Sequence, residues 1–311
     1  MKNRQTLWLL IIALVALPTS ASAETAPVFL LKWGSFGSGP GQFKGPTDVK
    51  VDPTGNVYVA DPANVRVQKF DGNGAFLAQL VSAPSGPAAF GQTPSCAVGS
   101  DGKIYVAGQS GDVCVFAPDF AFIARWSVPN ATYLELDPVG SYLYATVSQD
   151  SIVRLSPLTG ARLASWSRIR PGIVCGFGVG PDDAAYLGAT DYVDIYDMNG
   201  LFSASVGGPG TAAGEFSAVR GVSCDAAGNF YVGDGGNARV QKFAHDRSFL
   251  SMWGSFGTGN GQFGHNIFAI AVDSGGSVFV DDLDNNRIQK FGQPSTPTRH
   301  ATWGRLKSNY R

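Results

Sequence analysis

VKVDPTGNVYVADPANVRVQKFDGNGAF, from Val49 to Phe76, decides the fold, because its pattern returns as VSCDAAGNFYVGDGGNARVQKFAHDRSF from Val222 and as IAVDSGGSVFVDDLDNNRIQKF from Ile270. Three weaker copies fill the interval: AVGSDGKIYVAGQSGDVCVFAPDFAF from Ala97, LELDPVGSYLYATVSQDSIVRLSPLTGARL from Leu134 and FGVGPDDAAYLGATDYVDIYDMNGLF from Phe177. One aromatic in each second strand serves as a ruler. These are Tyr58, Tyr105, Tyr144, Tyr186, Tyr231 and Phe279, with a mean spacing of about 44 residues. A period of this length, carrying several short strands per unit, belongs to a β-propeller blade. In the first copy the strands are expected at Asp48 to Val51, Val57 to Ala60, Arg66 to Phe70 and Ala75 to Leu80. Turn-forming residues separate them: Asp52-Pro53-Thr54-Gly55, Pro62-Ala63-Asn64 and Asp71-Gly72-Asn73-Gly74. One blade cannot bury both of its faces, so the units must pack around an axis. The expected fold is all-β: a single six-bladed β-propeller of four-stranded antiparallel blades over residues 24–311.

Composition agrees with this. Of 311 residues, 44% are hydrophobic, only 15% are charged and 40 are glycine, which suits many tight turns between short buried strands. Lys and Arg number 23 against 24 Asp and Glu. No global charge exists to grip a nucleic-acid backbone or an anionic membrane, and no nucleic-acid partner is expected.

Residues 1–23 read as a secretory signal peptide. Lys2 and Arg4 precede an apolar run from Leu7 to Pro18, and Ala21-Ser22-Ala23 offers a cleavage site. The expected location is secreted or periplasmic, with no membrane span after cleavage, and the expected state is a monomer. In such a compartment Cys96, Cys114, Cys175 and Cys224 can oxidise, so one or two disulfides and buried free thiols both stay open. All four cysteines are expected on strands. Both ends of the chain carry an outer-strand pattern, FLLKWG at Phe29 to Gly34 and RHATWG at Arg299 to Gly304, and only one can complete the last blade. The N-terminal copy is expected to do so, which closes the ring by joining the two ends and leaves the C-terminal copy to cover an edge.

The string YVADPANVRVQKFDGNGAF from Tyr58, preceded by the linker Gly41-Gln42-Phe43, resembles the NHL repeat family, over about residues 28–304. NHL propellers serve as RNA or protein platforms, as extracellular sensor domains of bacterial kinases, and as a metal-dependent peptide-amidating lyase. The resemblance therefore implies the fold and leaves function to the site.

In such a propeller the blade-to-blade linkers and the loops between second and third strands share one face, and the two hairpin turns share the other. Candidate ligand residues lie on the linker face near the channel mouth: Asp48, Arg220, His265 and Asn266, where polar groups can converge in a concavity. Lys44 and Arg170 fall on the same face. A repeated set, Asp61, Asn64 and Arg66, recurs as Asp234, Asn237 and Arg239 and as Asp281 or Asp282, Asn286 and Arg287, with Asp282 preferred. It reads as structural, an Asp facing an Arg across a loop. Blades two to four lack it, with Gly108, Val147 and Ala189 at the Asp position. The glycine-rich stretches from Gly34, Gly207 and Gly254 read as blade-to-blade turns.

Catalytic readings are weaker. His245, His265 and His300 fall at three separate places and cannot form a three-histidine zinc site, which departs from the lyase. No cofactor is called for, although a channel calcium ion with Asp48 as a ligand stays open. No G-x-S-x-G elbow occurs. Asp182, Asp183, Asp191, Asp194 and Asp197 read as solvated turn and edge surface. The leading function is an exported binding or scaffold module for a protein, peptide or glycan through the linker face. The alternative is a metal-dependent lactonase or lyase with a channel-bound divalent cation.

Overall fold

The computed structural model of the protein describes residues 24–83, 85–92, 95–108, 111–148, 151–169 and 174–293. Residues 1–23, expected from the sequence to be a signal peptide, together with Arg170, His300 and the C-terminal RHATWG, lie outside the described residues.

Six four-stranded antiparallel sheets make up the described chain. Strand β1 (Val28–Trp33) comes first. Blade one holds β2 (Asp48–Val51), β3 (Val57–Asp61), β4 (Arg66–Phe70) and β5 (Phe76–Val81). Blade two holds β6 (Ser95–Val98), β7 (Ile104–Ala107), β8 (Val113–Phe116) and β9 (Phe122–Trp126). Blade three holds β10 (Ala131–Leu136), β11 (Leu143–Val147), β12 (Ser151–Leu155) and β13 (Arg162–Ser167). Blade four holds β14 (Gly176–Val179), β15 (Ala185–Gly188), β16 (Tyr192–Tyr196) and β17 (Phe202–Gly207). Blade five holds β18 (Val219–Cys224), β19 (Phe230–Asp234), β20 (Arg239–Phe243) and β21 (Phe249–Trp253). Blade six holds β22 (Ile270–Val272), β23 (Val278–Asp282) and β24 (Arg287–Gly292). Its fourth strand is β1, paired antiparallel with β24 through Phe29↔Phe291 and Trp33↔Ile288. The N-terminal copy thus closes the ring.

The strand boundaries of blade one depart from the sequence expectation by one residue at three places, the end of β3 and both ends of β5, which runs to Val81. β3 runs on through Asp61, which pairs with Arg66. β5 starts at Phe76, because the Ala75 N–H is held in the turn by the Asp71 carboxylate at 2.8 Å.

Burial follows strand position. Every residue of β3, β7, β15, β19 and β23 is buried, since a second strand packs against blades on both sides, whereas β1 alternates between exposed and half-buried. All six ruler aromatics are buried. Trp33 of the closing strand packs against Phe70 of blade one and Phe279 of blade six, tying the last blade to the first. Around blade four the inner strands come close because they carry glycine. A Cβ on Gly176 would stand 2.7 Å from the Arg220 carbonyl oxygen, and one on Gly221 would stand 3.0 Å from that of Phe268.

All four cysteines are free. Cys96 and Cys114 pair with the same residue, Val106, from opposite sides, so a whole strand separates them. Two strand spacings, about 10 Å, exceed the reach of a disulfide. Cys175 precedes β14 and is not on a strand, a correction to the sequence reading.

Candidate functional site

The repeated Asp-Asn-Arg set fastens each blade to the linker that enters it. In blade one the Asp61 carboxylate accepts hydrogen bonds from the Lys44 N–H at 2.8 Å, Asn64 Nδ2 at 2.8 Å and Arg66 Nε at 2.9 Å. Arg66 then donates to the carbonyls of Ser38, Gly39 and Gln42, at 2.9, 3.0 and 2.8 Å. Blade five repeats this with Asp234, Asn237 and Arg239, whose guanidinium holds Thr211, Ala212 and Glu215. In blade six the third member is Asn285, not Asn286: Asn285 Nδ2 donates to Asp282 at 2.9 Å, beside Arg287 Nε at 2.7 Å. Asn286 occupies the left-handed position (φ 50°) held by Val65 and Ala238 in the other copies, and accepts from the Gly45 N–H. Blade two, without the set, uses Arg125, which pairs with Asp112 at 2.7 Å and donates to the Ala89 carbonyl.

Asp48 does not join the other candidate ligand residues. It lies on the channel wall, where its carboxylate accepts from the Ser95 hydroxyl at 2.5 Å and the Cys96 N–H at 3.0 Å, with Lys50 Nζ 3.4 Å away. Lys50 also donates to Glu135, which forms a strut between two blades that are not neighbours. Burial raises the pKa values of Asp48 and Glu135, and Lys50 partly offsets it. Burial alone would depress Lys50, but the two carboxylates outweigh it and raise its pKa. Sequence reasoning missed this strut. Its only signal was position, since the register places Lys50 and Glu135 level with Ala97, Gly178, Ser223 and Ala271.

A cavity of about 350 Å³ opens at the hairpin end of the channel, opposite the expected linker-face mouth, with Lys50, Glu135, Asp137 and Asp225 among its lining residues. Among the described residues no three His, Cys, Asp or Glu side chains are grouped to hold a metal. Of the aspartates of blade four, Asp194 alone departs from the solvated reading, while Asp182 is exposed and Asp183, Asp191 and Asp197 are half-exposed. Asp194 is fully buried, 3.5 Å from Arg168 and bonded by Ser205.

Asp281 is the least compensated acid of the described chain. It is 0% exposed, and neither carboxylate oxygen has a hydrogen-bond partner. Its register places it where blade one has Ala60 and blade five has Gly233. Burial, with the nearby charges of Asp282, Asp48 and Asp284, raises its pKa well above the usual carboxylate range. A group raised on folding contributes stability that is present below its unfolded value and lost as pH climbs through the folded value. Asp281→Ala is therefore expected to stabilise the protein at neutral pH by about 1–3 kcal/mol, the cost of an unsatisfied buried polar group. It should also flatten the fall in stability as pH rises from about 4. Urea unfolding of both proteins from pH 4 to 8 checks both effects; an equal loss of stability at every pH would contradict the assignment.

The remaining candidates meet on the linker face between blades five and six. Arg220 is the second residue of the inner strand β18. Its guanidinium lies 5.4 Å from the centre of the Phe268 ring, and it makes no ion pair or hydrogen bond among the described residues. Gly235 brings it next to His265: a Cβ there would stand 2.4 Å from the His265 carbonyl oxygen and 3.1 Å from Arg220 Cγ. His265 lies in the linker before β22 and stacks on Phe256 at 4.5 Å with 19° between the planes. Phe256 is 65% exposed. Asn266 donates to exposed Asp284 at 2.8 Å. Phe256 was legible only as the second occurrence of the G-S-F-G linker; its partner Phe36 is also exposed.

Comparisons with known proteins agree with this architecture. Residues 43–70 match the family model "NHL repeat". A stretch of 69 residues is 42% identical to E3 ubiquitin-protein ligase TRIM32 of Homo sapiens, covering 22% of this chain and 10% of that relative. The fold is similar to a streptogramin B lyase structure, with a TM-score of 0.59 and 15% identity over 85% of this chain and 97% of that one, a likeness of fold alone. The chain carries the NHL repeat and folds as a six-bladed β-propeller.

Proposed function

We propose that the protein is an exported binding module that docks a protein or peptide partner on its linker face, over blades five and six. The carrying observation is an Arg220 guanidinium without an ion-pair partner, over Phe268 and next to the exposed Phe256–His265 stack. Aromatic and arginine side chains held in partly desolvated positions are the residues that dominate protein interfaces. The linkers are rigid enough to present them, because Asp234 and Asp282 fasten the chain on both sides of the patch. The location outside the cytoplasm rests on the signal-peptide pattern of residues 1–23.

Immobilised mature protein, exposed to the secreted and envelope fractions of the producing cells, tests this reading. Phe256→Ala and Arg220→Gln are each expected to weaken the retained partner about 30-fold or more, the scale of a hot-spot residue, with unchanged thermal unfolding. Arg247→Ala on the hairpin face should leave binding intact. Loss of binding only in the hairpin-face variant would overturn the proposal.

A further inference from the structure

The chemistry of the docking site can be narrowed to the group it receives. Five other arginines have carboxylate partners: Arg66 with Asp61, Arg125 with Asp112, Arg168 with Asp194, Arg239 with Asp234 and Arg287 with Asp282; Arg154, over the Tyr142 ring, donates to the Met198 carbonyl at 3.0 Å. Arg220 has a ring beneath it and no carboxylate, and its Nε is buried without a hydrogen-bond partner. A guanidinium presents five N–H donors in a fork that matches a carboxylate, and leaving them partly desolvated and unmatched is costly. Of the acids on this side, Asp48 is engaged by Ser95, Cys96 and Lys50 and Asp284 by Asn266, while Asp281 is fully buried and makes no hydrogen bond to Arg220.

We infer that the Arg220 guanidinium is a receptor for a carboxylate of a bound peptide, and that Phe256 packs against the apolar residue beside it. This rests on the linker-face reading above and adds the identity of the anchor. An aromatic ring at the rim beside an arginine at the floor selects an acidic group next to an apolar side chain. The carboxylate can come from an Asp or Glu side chain or from a peptide C-terminus; both offer the same two oxygens to the fork.

The test uses ¹⁵N-labelled mature protein, following the Arg220 Nε–H signal, assigned by its disappearance in Arg220→Lys. The probes are N-acetyl-Glu-Phe-amide, its neutral isostere N-acetyl-Gln-Phe-amide, N-acetyl-phenylalanine and glucuronic acid. Saturable shifts of the Arg220 signal are expected with the two carboxylate peptides, at least tenfold tighter than with the Gln peptide. The tighter of the two identifies a side-chain or a C-terminal source. Phe256→Ala, a change at an exposed residue, should weaken both without moving the unliganded spectrum elsewhere. Equal binding of the Glu and Gln peptides would overturn the inference, and so would a response to glucuronic acid alone, which would indicate an acidic glycan. If no carboxylate binds while Phe256→Ala still releases the captured partner, the carboxylate anchor fails and the docking face stands. If the partner is retained by both linker-face variants, the docking face itself fails.

Discussion

Asp61→Ala is expected to cost about 3–5 kcal/mol, the penalty for removing one partner of a buried ion pair. The carboxylate is fully buried, and it receives Arg66, Asn64 and the Lys44 N–H together. Without it, the Arg66 guanidinium stays buried with its charge uncompensated, and the linker carbonyls of Ser38, Gly39 and Gln42 are held by a group that has lost its own anchor. Typical domain stability is about 5–15 kcal/mol, so a large share disappears in one substitution. Guanidinium chloride unfolding measures it. The double variant Asp61→Leu with Arg66→Met removes both charges and should recover much of the loss, because an apolar replacement of a buried pair is often neutral. A single variant as stable as the parent would show that the set does not fasten the linker.

Removal of residues 24–33 is expected to be worse. The outer strand of blade six then vanishes, leaving β24 as an open edge and taking Trp33 from between Phe70 and Phe279. Deleting a fully buried tryptophan side chain costs about 3–5 kcal/mol and half-buried Trp33 less than that, but the strand ladder and the contact of Glu24 with Lys242 go with it. The truncated chain should be largely unfolded at 37 °C by near-ultraviolet circular dichroism. A synthetic peptide of residues 24–34 should restore the signal, which separates ring closure from a general effect of shortening. A truncated protein that folds unaided would contradict closure by β1, and would point instead to the Arg299–Gly304 copy as the closing strand.

The fold was legible in the sequence because every blade carries an aromatic at the same place in its second strand, and blades one, five and six repeat the same Val/Ile-Gln-Lys-Phe third strand, as in Arg66–Phe70 and Arg239–Phe243. Even ring closure followed from the FLLKWG pattern. Local ambiguity limited the detail: two adjacent asparagines, Asn285 and Asn286, could not be told apart by spacing, although only the first reaches Asp282. Contacts between distant blades left no local trace at all. Lys50 and Glu135 are 85 residues apart and belong to blades one and three, so no repeat alignment pairs them. Asp48 looked like a free ligand residue for the same reason, since Ser95 and Cys96, its partners, sit in the next blade. Arg220 and His265 could be assigned to one face, but the stack on Phe256 that makes the patch needs the linker's folded path.

Hydrogen exchange of the propeller with its captured partner is the most direct test of the docking site. Protection is expected in the linker from Gly254 to Phe268 and at the start of β18 around Arg220, with none added at the hairpin-end cavity near Asp137 and Asp225. Protection confined to that cavity, with the Phe256 linker exchanging as in the free protein, would contradict the account.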